Sequence, residues 1–216
     1  MRSIALALVA LLILGATATA GAQPLTREQS LADLMNTGDV EARRQGAAWL
    51  GKTGLMADVP LLVEALRDPD ELVRALAERS LWQVWSRSGD SDVDTLFQLG
   101  IEQMNQRDSE SAIETFSRII QRKPDFAEGW NKRATLYYLI GEYDKSLADC
   151  EEVIRRNPVH FGALSGFGMI YLQLGKPEQA LDYFQRALAV NPNLAQVEAA
   201  VEGLKQFLNQ RSRNGV

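Results

Sequence analysis

One stretch of this sequence fits a catalytic motif: residues 46–53, GAAWLGKT, match the phosphate-binding pattern G-x-x-x-x-G-K-[ST] at every fixed position. In such a loop, backbone N–H groups, a lysine and a hydroxyl side chain hold the phosphates and magnesium of a nucleotide. The loop must follow a buried strand, but the residues before Gly46 are the charged, helix-favouring DVEARRQ. We therefore interpret Gly46, Gly51, Lys52 and Thr53 as parts of a helix, and nucleotide binding stays the minor alternative.

Few other residues could do chemistry. His160 is the only histidine and Cys150 the only cysteine, so a catalytic triad would rest on one residue. A structural zinc site needs four ligands, and the sequence has no Cys-x-x-Cys pair. We predict no catalytic residue, no metal ligand and no cofactor, and therefore no enzyme. His160 is interpreted as a residue between two helices, and Cys150 as a buried packing thiol.

The composition is that of an ordinary globular protein and excludes some partners. The 216 residues are 46% hydrophobic and 24% charged, with a formal net charge of −5. No lysine or arginine cluster has the density of a nucleic-acid surface, so we predict no nucleic-acid binding. A single cysteine allows no internal disulfide.

The first residues have the pattern of an export signal. Arg2 precedes an apolar run from Ile4 to Leu14, and small residues suited to cleavage follow up to Ala22. We predict a signal peptide over residues 1–22 and a periplasmic or secreted protein, with an uncleaved membrane anchor as the alternative. No later segment is apolar enough to span a membrane. The absence of an N-x-[ST] acceptor favours a bacterial periplasm.

An internal repeat organises the second half of the chain. Pro124, Pro158 and Pro192 are equally spaced, and large and small residues recur at fixed offsets between them. Within each unit the apolar spacing is helical, with a break near Asp108, Gly141 or Gly175 and a proline after the second helix. At one of these offsets Arg133 stands where other units have Leu99 and Phe167. We interpret Arg133 as a packed side chain with a paired head group, and a functional basic group is the alternative.

This pattern resembles the tetratricopeptide repeat, in unit length, in helix–turn–helix layout and in its residues from Leu164 to Pro192. The resemblance covers three units over residues 92–194. It implies an all-α solenoid of stacked antiparallel helix pairs that binds protein or peptide. The sequence AQVEAAVEGLKQFL then predicts a capping helix over residues 195–210, followed by a flexible tail over residues 211–216.

Residues 23–88 show a different period. A shift of 31 aligns Asp39 with Asp70 and Gly46 with Ala77, so GDVEARRQGAAWLG and PDELVRALAERSLW are two versions of one helix with an aspartate N-cap. PLLVEALRD supplies a partner helix that starts near Pro60. This segment resembles a pair of short HEAT-like repeats.

The first helix of each stacked unit lines the hollow side of a solenoid. If Leu96, Leu99 and Gly100 point into the stack, the opposite stripe is unusually apolar for a solvated surface. We predict that this stripe binds an apolar or amphipathic partner segment through Phe97, Ile101, Met104, Asn131, Thr135, Tyr138, Gly162, Ser165, Met169 and Leu172.

Several alternatives to this groove stay open. The stripe could pack against a second copy, which would make a self-assembling scaffold, or the HEAT-like half could cover it. Gly162 and Gly166 leave a bare strip, which suits either close helix packing or a partner backbone. Some tetratricopeptide domains grip chaperone tails with lysine, arginine and asparagine; Asn131 and Lys132 match that pattern, whereas Phe97 and Ser165 depart from it.

Overall fold

The computed structural model describes residues 24–213, so the predicted signal peptide and residues 214–216 lie outside the described part of the chain. Within it the fold is all-α, and no strand occurs among these residues. Helices α1 to α4 span Arg27–Leu34, Val40–Thr53, Val59–Ala65 and Glu71–Trp85, with a short 3-10 turn at Met56–Asp58. Helices α5 to α11 span Ser91–Asn105, Ser109–Arg122, Ala127–Leu139, Tyr143–Arg156, Phe161–Gln173, Pro177–Val190 and Ala195–Arg213.

The helix boundaries reproduce the repeat that the equally spaced prolines indicate. Helices α6, α8 and α10 are each 14 residues long and start at residues 109, 143 and 177. Helices α7 and α9 are each 13 residues long and start at residues 127 and 161. From α5 to α11 each helix packs against the next, so the predicted solenoid of stacked helix pairs is confirmed.

The turn inside each unit has a left-handed residue at the same offset. Gly141 has φ 81° and Gly175 has φ 66°, and the equivalent position of the first unit is Arg107, with φ 60°. Glycine adopts this conformation without steric cost, whereas a residue with a Cβ adopts it only at a steric cost. The first turn is therefore the strained member of the three.

Small residues on one helix pack against large residues of the next helix. A Cβ on Gly100 would lie 2.6 Å from the Phe116 ring, and a Cβ on Gly168 would lie 2.4 Å from the Phe184 ring. Each phenylalanine is buried. Close packing of this kind leaves no room for an added methyl group, which explains why large and small residues alternate at fixed offsets in the sequence.

The segment that fits the nucleotide motif is helix, as the sequence predicts. Gly46 and Gly51 are buried inside the continuous helix α2, and a Cβ on Gly46 would lie 2.5 Å from the Ser30 carbonyl oxygen. The Lys52 ammonium lies 4.4 Å from the centre of the Trp49 ring, and Thr53 Oγ1 donates to the Trp49 carbonyl. These glycines permit helix packing, and no phosphate-binding loop forms there.

The N-terminal helices form two pairs of similar construction. Asp39 caps α2 by accepting from Glu41 N and Ala42 N, and Asp70 caps α4 by accepting from Val73 N. Arg43 and Arg44 on α2 bind Asp68 and Asp70 with their guanidinium groups, which fixes α2 against the start of α4. The capping prediction for both aspartates is confirmed, while the HEAT-like resemblance stays a prediction.

These N-terminal helices fold back onto the third repeat unit. Their core includes Phe161, the first residue of α9, together with Leu62 and Leu81. Arg67 donates to the carbonyls of Ala189 and Val190, and Asn193 Nδ2 donates to the Leu66 carbonyl at 2.8 Å. The N-terminal half therefore reaches the predicted stripe at Gly162 but leaves Met169 and Leu172 exposed, so the alternative that it covers the whole stripe is not confirmed.

Helix α11 closes the other end of the stack. It starts at the position that a fourth unit would give its first helix, and buries Val201 and Leu204 beside Phe184. It extends to Arg213, so the prediction of a tail from residue 211 is wrong for residues 211–213. Within residues 24–213, no helix combines the length and apolarity that crossing a membrane requires.

Candidate partner-binding groove

A small cavity lies between α7 and α9, on the surface where a partner is predicted to bind. Its volume is about 140 Å³, similar to that of engineered apolar cavities that hold one benzene ring. We call this surface the α7–α9 groove. Its lining consists of Asn131, Ala134, Thr135, Tyr138, Ser146, Cys150, Gly162, Ala163, Gly166, Met169 and Ile170.

Half of the predicted binding residues meet in this groove. Tyr138 and Thr135 come from α7, while Gly162 and Met169 come from α9. Asn131 is the fifth, and it is buried. The repeat brings them together, since equivalent positions of successive units stack side by side. Met169 is 42% exposed, so its thioether is free to contact a partner.

In the first unit, the buried and exposed residues of helix α5 differ from the prediction. Phe97 is buried, with its ring centre 5.8 Å from that of Phe116 and 5.4 Å from that of Phe126. Leu99, which was expected inside the stack, is 45% exposed. The prediction that Phe97 is exposed on the stripe is therefore wrong, because α5 is rotated so that Val93, Phe97 and Gly100 face the core.

The other predicted residues lie outside the cavity. Ile101 and Met104 are partly buried and pack against the core around Phe97. Ser165 Oγ donates to the Phe161 carbonyl at 2.8 Å, so its hydroxyl proton is engaged within α9. Leu172 is 36% exposed, one turn beyond Met169 along the same helix. Of these four, Leu172 extends the apolar surface of the groove most directly.

The base of the groove comes from α8, which the stripe prediction missed. Ser146 Oγ donates to the Ala134 carbonyl at 2.7 Å, and Cys150 is buried beside it. Burial, reinforced by the charges of Asp149 and Glu151, raises the pKa of the Cys150 thiol to about 12. A thiol with that pKa stays protonated at neutral pH and is a poor nucleophile, so Cys150 serves packing, as predicted.

A buried carboxylate organises the N-terminal end of the groove. Glu128 has no exposed surface, and its Oε1 lies 2.6 Å from His160 Nε2. His160 Nδ1 accepts the Ala163 N–H at 3.0 Å, so Nε2 carries the imidazole proton and donates to Glu128. Asn131 Nδ2 donates to Oε2 at 3.1 Å, and Lys132 Nζ lies 3.4 Å from the same oxygen.

These contacts set the ionisation of Glu128. Burial favours the neutral acid and is the largest influence, but the His160 hydrogen bond and the Lys132 and Asn131 contacts outweigh it. Together they lower the pKa of Glu128 to about 2. The carboxylate is therefore ionised at neutral pH. The prediction that His160 is simply a loop residue understates its role, because it is fully buried and caps the start of α9.

The same network engages Asn131 and Lys132, the two residues that match the pattern of a clamp for acidic tails. The Asn131 amide and the Lys132 ammonium both contact the Glu128 carboxylate, so their charge and hydrogen-bonding capacity are engaged inside the protein. Arg133 is similarly engaged: its Nε and Nη2 each donate to Asp149 at 2.8 Å, and this pair raises its pKa. The interpretation of Arg133 as a packed and paired side chain is confirmed.

Trp82 of helix α4 closes the groove at this end. A Cβ on Gly162 would lie 2.5 Å from Trp82 Cη2, so the glycine makes room for the indole. The Trp82 ring packs edge-on against the rings of His160 and Phe161, at centre distances of 5.4 and 5.2 Å. Gly166, one turn further along α9, has only Cys150 Sγ nearby, at 3.6 Å from its would-be Cβ. The bare strip is thus used for packing at Gly162 and is open at Gly166.

Sequence reasoning missed Ser146 and Cys150 as groove residues, and it missed Trp82 as the neighbour of Gly162. The repeat alignment marks Ser146 and Cys150 as packing positions, but it does not show that they lie beneath a surface opening. No sequence signal joins Trp82 to Gly162, because the two belong to different repeat types and lie far apart along the chain. Among residues 24–213, no group of three histidine, cysteine or acidic side chains is placed to hold a metal ion.

Comparison with known proteins identifies the repeats. Residues 97–161 and 163–194 match two family models that are both described as tetratricopeptide repeat. A TPR repeat-containing protein of Rhizobium etli is 36% identical over 126 residues, which cover 58% of this chain and 61% of that protein. The Hsp70-Hsp90 organizing protein of Triticum aestivum is 23% identical over 117 residues, covering 54% of this chain and 20% of that protein. The matches span less than two thirds of either relative.

A solved structure agrees with the fold. The first tetratricopeptide repeat domain of Spaghetti (RPAP3), bound to the HSP90 peptide SRMEEVD, superposes with a TM-score of 0.53 and 22% identity. The superposition covers 56% of this chain and 96% of that domain. At this identity the similarity establishes a shared fold and nothing about a shared partner.

Proposed function

Since residues 97–161 and 163–194 are tetratricopeptide repeats, we propose that this protein is a non-catalytic adaptor that binds a segment of another protein in the α7–α9 groove. The observation that carries the proposal is the cavity of about 140 Å³, which joins side chains from two successive units. Exposed apolar surface next to a side-chain-sized cavity is the usual form of a protein-binding site.

The groove favours an apolar anchor over an acidic one. Met169 and Leu172 present apolar surface at its rim, and Ala134 and Ile170 line its interior. The two groups that could attract a carboxylate there, Asn131 and Lys132, already contact Glu128. An aliphatic or aromatic side chain inserted beside Gly166 would displace water from this surface, which is the main source of binding free energy at such sites.

We further propose that the adaptor acts in the cell envelope and that residues 23–88 are HEAT-like. The export pattern of residues 1–22 supports the first proposal, although those residues lie outside the described structure. The matching helix pairs with their Asp39 and Asp70 caps support the second. In this view the N-terminal pairs act as a rigid end of the solenoid, fixed to α9 through Trp82 and Phe161.

Two groove variants and one surface control test the binding site. Gly166→Ala adds a methyl group to the cavity at an ordinary contact distance from Cys150, and it should raise helix stability slightly. The double substitution Tyr138→Ala/Met169→Ala removes the side chains at the rim. Leu139→Ala is the matched control, because Leu139 is 65% exposed on α7 but does not line the cavity.

Each variant is immobilised, checked for native helicity, and used to capture proteins from an envelope extract. The proposal expects a protein that the wild type and Leu139→Ala retain and that both groove variants lose. Retention of the same proteins by all four forms would place binding elsewhere and refute the site. If the captured protein is this chain itself, sedimentation at several concentrations would show a groove-dependent self-association, and the scaffold alternative would replace the adaptor.

A further inference from the structure

The cavity of the α7–α9 groove lies where the second repeat unit lacks a ring that the other two units have. Positions 116, 150 and 184 are equivalent in the three units and hold Phe116, Cys150 and Phe184. Both phenylalanines are buried, and each ring packs against a glycine of its own unit. Cys150 is also buried and lines the cavity, but its side chain occupies less space than a benzyl group.

The lining of this cavity corresponds to the surroundings of the rings in the neighbouring units. In the first unit, Phe116 belongs to one buried cluster with Ala112 and Leu136. The equivalent residues of the next unit are Ser146 and Ile170, and both line the cavity. The third unit has the same kind of cluster around its own phenylalanine. The cavity therefore lies at the position that a phenyl ring takes in the units on either side.

The size and chemistry of the cavity suit one phenyl ring. Its volume of about 140 Å³ is close to that of an engineered cavity of about 150 Å³ that binds benzene. Cys150 at the base and Met169 at the rim both line it, and sulfur atoms make favourable contacts with the edges of aromatic rings.

The hydroxyl groups of the lining already have partners within the protein. Ser146 Oγ donates to the Ala134 carbonyl at 2.7 Å, and Thr135 Oγ1 donates to the Asn131 carbonyl at 2.9 Å. An apolar ring can therefore displace water from the cavity without leaving either hydroxyl proton unpaired. A tyrosine ring, by contrast, would bury its own hydroxyl group among groups whose hydrogen bonds are already made.

A side chain can reach this cavity from the surface of the protein. Thr135 and Met169 lie on facing helices, and both are exposed and line the cavity. Gly166 lies between them and carries no side chain, and a Cβ there would have Cys150 Sγ as its nearest neighbour, at 3.6 Å. The equivalent residue on α7 is Lys132, which has a long side chain at that position. The glycine therefore leaves open the entrance that a larger residue would narrow.

We propose that the partner of the α7–α9 groove is a protein segment that inserts a phenylalanine side chain into this cavity, and so provides the ring that the second unit lacks. This inference rests on the proposed function, because it names the anchor by which that partner binds. A leucine side chain is smaller than a benzyl group and makes fewer contacts with the lining. The anchor ring then packs as Phe116 and Phe184 pack in their own units.

Two variants that fill the cavity test this anchor in the mature chain. Ala134→Gly/Cys150→Phe gives the second unit the glycine–phenylalanine pair of its neighbours, and its thermal midpoint should equal or exceed that of the wild type. Cys150→Met is a second filled variant, because a flexible methionine adapts to the space without a change at Ala134. Leu139→Ala is the surface control, since Leu139 is exposed and does not line the cavity.

Benzene is the first probe, and nuclear magnetic resonance of the Ile170 methyl groups detects it, since Ile170 lines the cavity. The proposal expects a saturable shift of these signals in the wild type and in Leu139→Ala, and none in the two filled variants.

A library of random peptides displayed on phage is the second probe. We expect the peptides that the wild type retains and the filled variants lose to share a phenylalanine. Replacing that phenylalanine by alanine should raise the dissociation constant at least about tenfold, as for an interface anchor, and leucine or tyrosine should also weaken binding.

The outcomes separate this inference from the proposed function. An unshifted Ile170 signal, a shared aliphatic anchor, or the absence of any peptide that needs the open cavity would overturn the phenylalanine anchor. The groove itself would stand if Tyr138→Ala/Met169→Ala still lost the selected peptides, and it would fall if every variant retained them equally. Self-association that Phe207→Ala abolishes would make a second copy the occupant and overturn the assignment to another protein, because Phe207 is 52% exposed.

Discussion

The buried Glu128 carboxylate should make the free energy of unfolding of this protein depend on pH. The substitution Glu128→Gln should remove that contribution. Glu128 joins three elements: its own helix α7, the His160 cap of α9 and, through His160, the Trp82 and Trp85 rings of α4. Glu128→Gln keeps the shape of the side chain and removes its charge. We expect the two proteins to differ in the pH dependence of their free energy of unfolding.

The size and sign of the effect follow from the pKa of Glu128. The folded protein lowers it from 4.5 to about 2. For a group without exposed surface, a shift of that size corresponds to roughly 3 kcal/mol of stability. As pH falls, the unfolded chain takes up this proton near pH 4.5, whereas the folded chain takes it up only near pH 2. The stabilisation is therefore complete above roughly pH 5 and is lost as the pH falls toward 2.

The measurement is urea unfolding of the wild type and of Glu128→Gln at a series of pH values from neutral to acid. Other carboxylates titrate in both proteins and cancel in the difference between the two free energies. That difference should shrink by about 2.5 kcal/mol between neutral pH and pH 2.5. Glu202→Gln, which removes an exposed carboxylate paired with Lys205, is the control and should show a much smaller change. A wild-type minus Glu128→Gln difference that stays constant with pH would refute the assigned role of this carboxylate.

Three further predictions concern packing and backbone strain. Arg107→Gly should raise the free energy of unfolding by roughly 0.5–1 kcal/mol, because it relieves a left-handed residue with φ 60°; an unchanged or lower thermal midpoint would contradict this. Gly162→Ala should lower the free energy of unfolding and alter tryptophan fluorescence, because its methyl group meets Trp82. Gly166→Ala should have neither effect. Equal effects of the two substitutions would show that Trp82 does not dock on α9. The Cys150 thiol should react with a disulfide reagent only as fast as local unfolding exposes it. Rapid reaction of the native protein at mildly alkaline pH would contradict the burial of this thiol and its pKa of about 12.

Features that repeat within one unit were readable from the sequence. The repeat period, the prolines that follow each second helix, and the pairing of Gly100 with Phe116 all depend on contacts between neighbouring helices. The interpretation of Gly46 and Gly51 as helix residues rested on the helix-favouring residues beside them. Such signals are local, so helix propensity and apolar spacing suffice to detect them.

The site itself was only partly predictable. The stripe prediction found Thr135, Tyr138 and Met169, since the repeat offset places them side by side. It failed at Phe97 because apolar spacing alone does not determine how α5 is rotated about its axis, and so does not determine which of several nearby apolar residues faces the core. Neighbouring apolar positions compete for the core, and the Phe116 and Phe126 rings favour Phe97 over Leu99.

By itself, then, the sequence determined that the fold is a stack of helix pairs and that those of the second half repeat with one period, because those features rest on local spacing. The tertiary structure alone decided that Trp82 packs on Gly162 and that His160 donates to Glu128 across two units. Each of these arrangements joins groups far apart along the chain or depends on how the N-terminal helices dock. Side-chain chemistry makes such contacts favourable, but only the packing of whole helices brings the groups within reach.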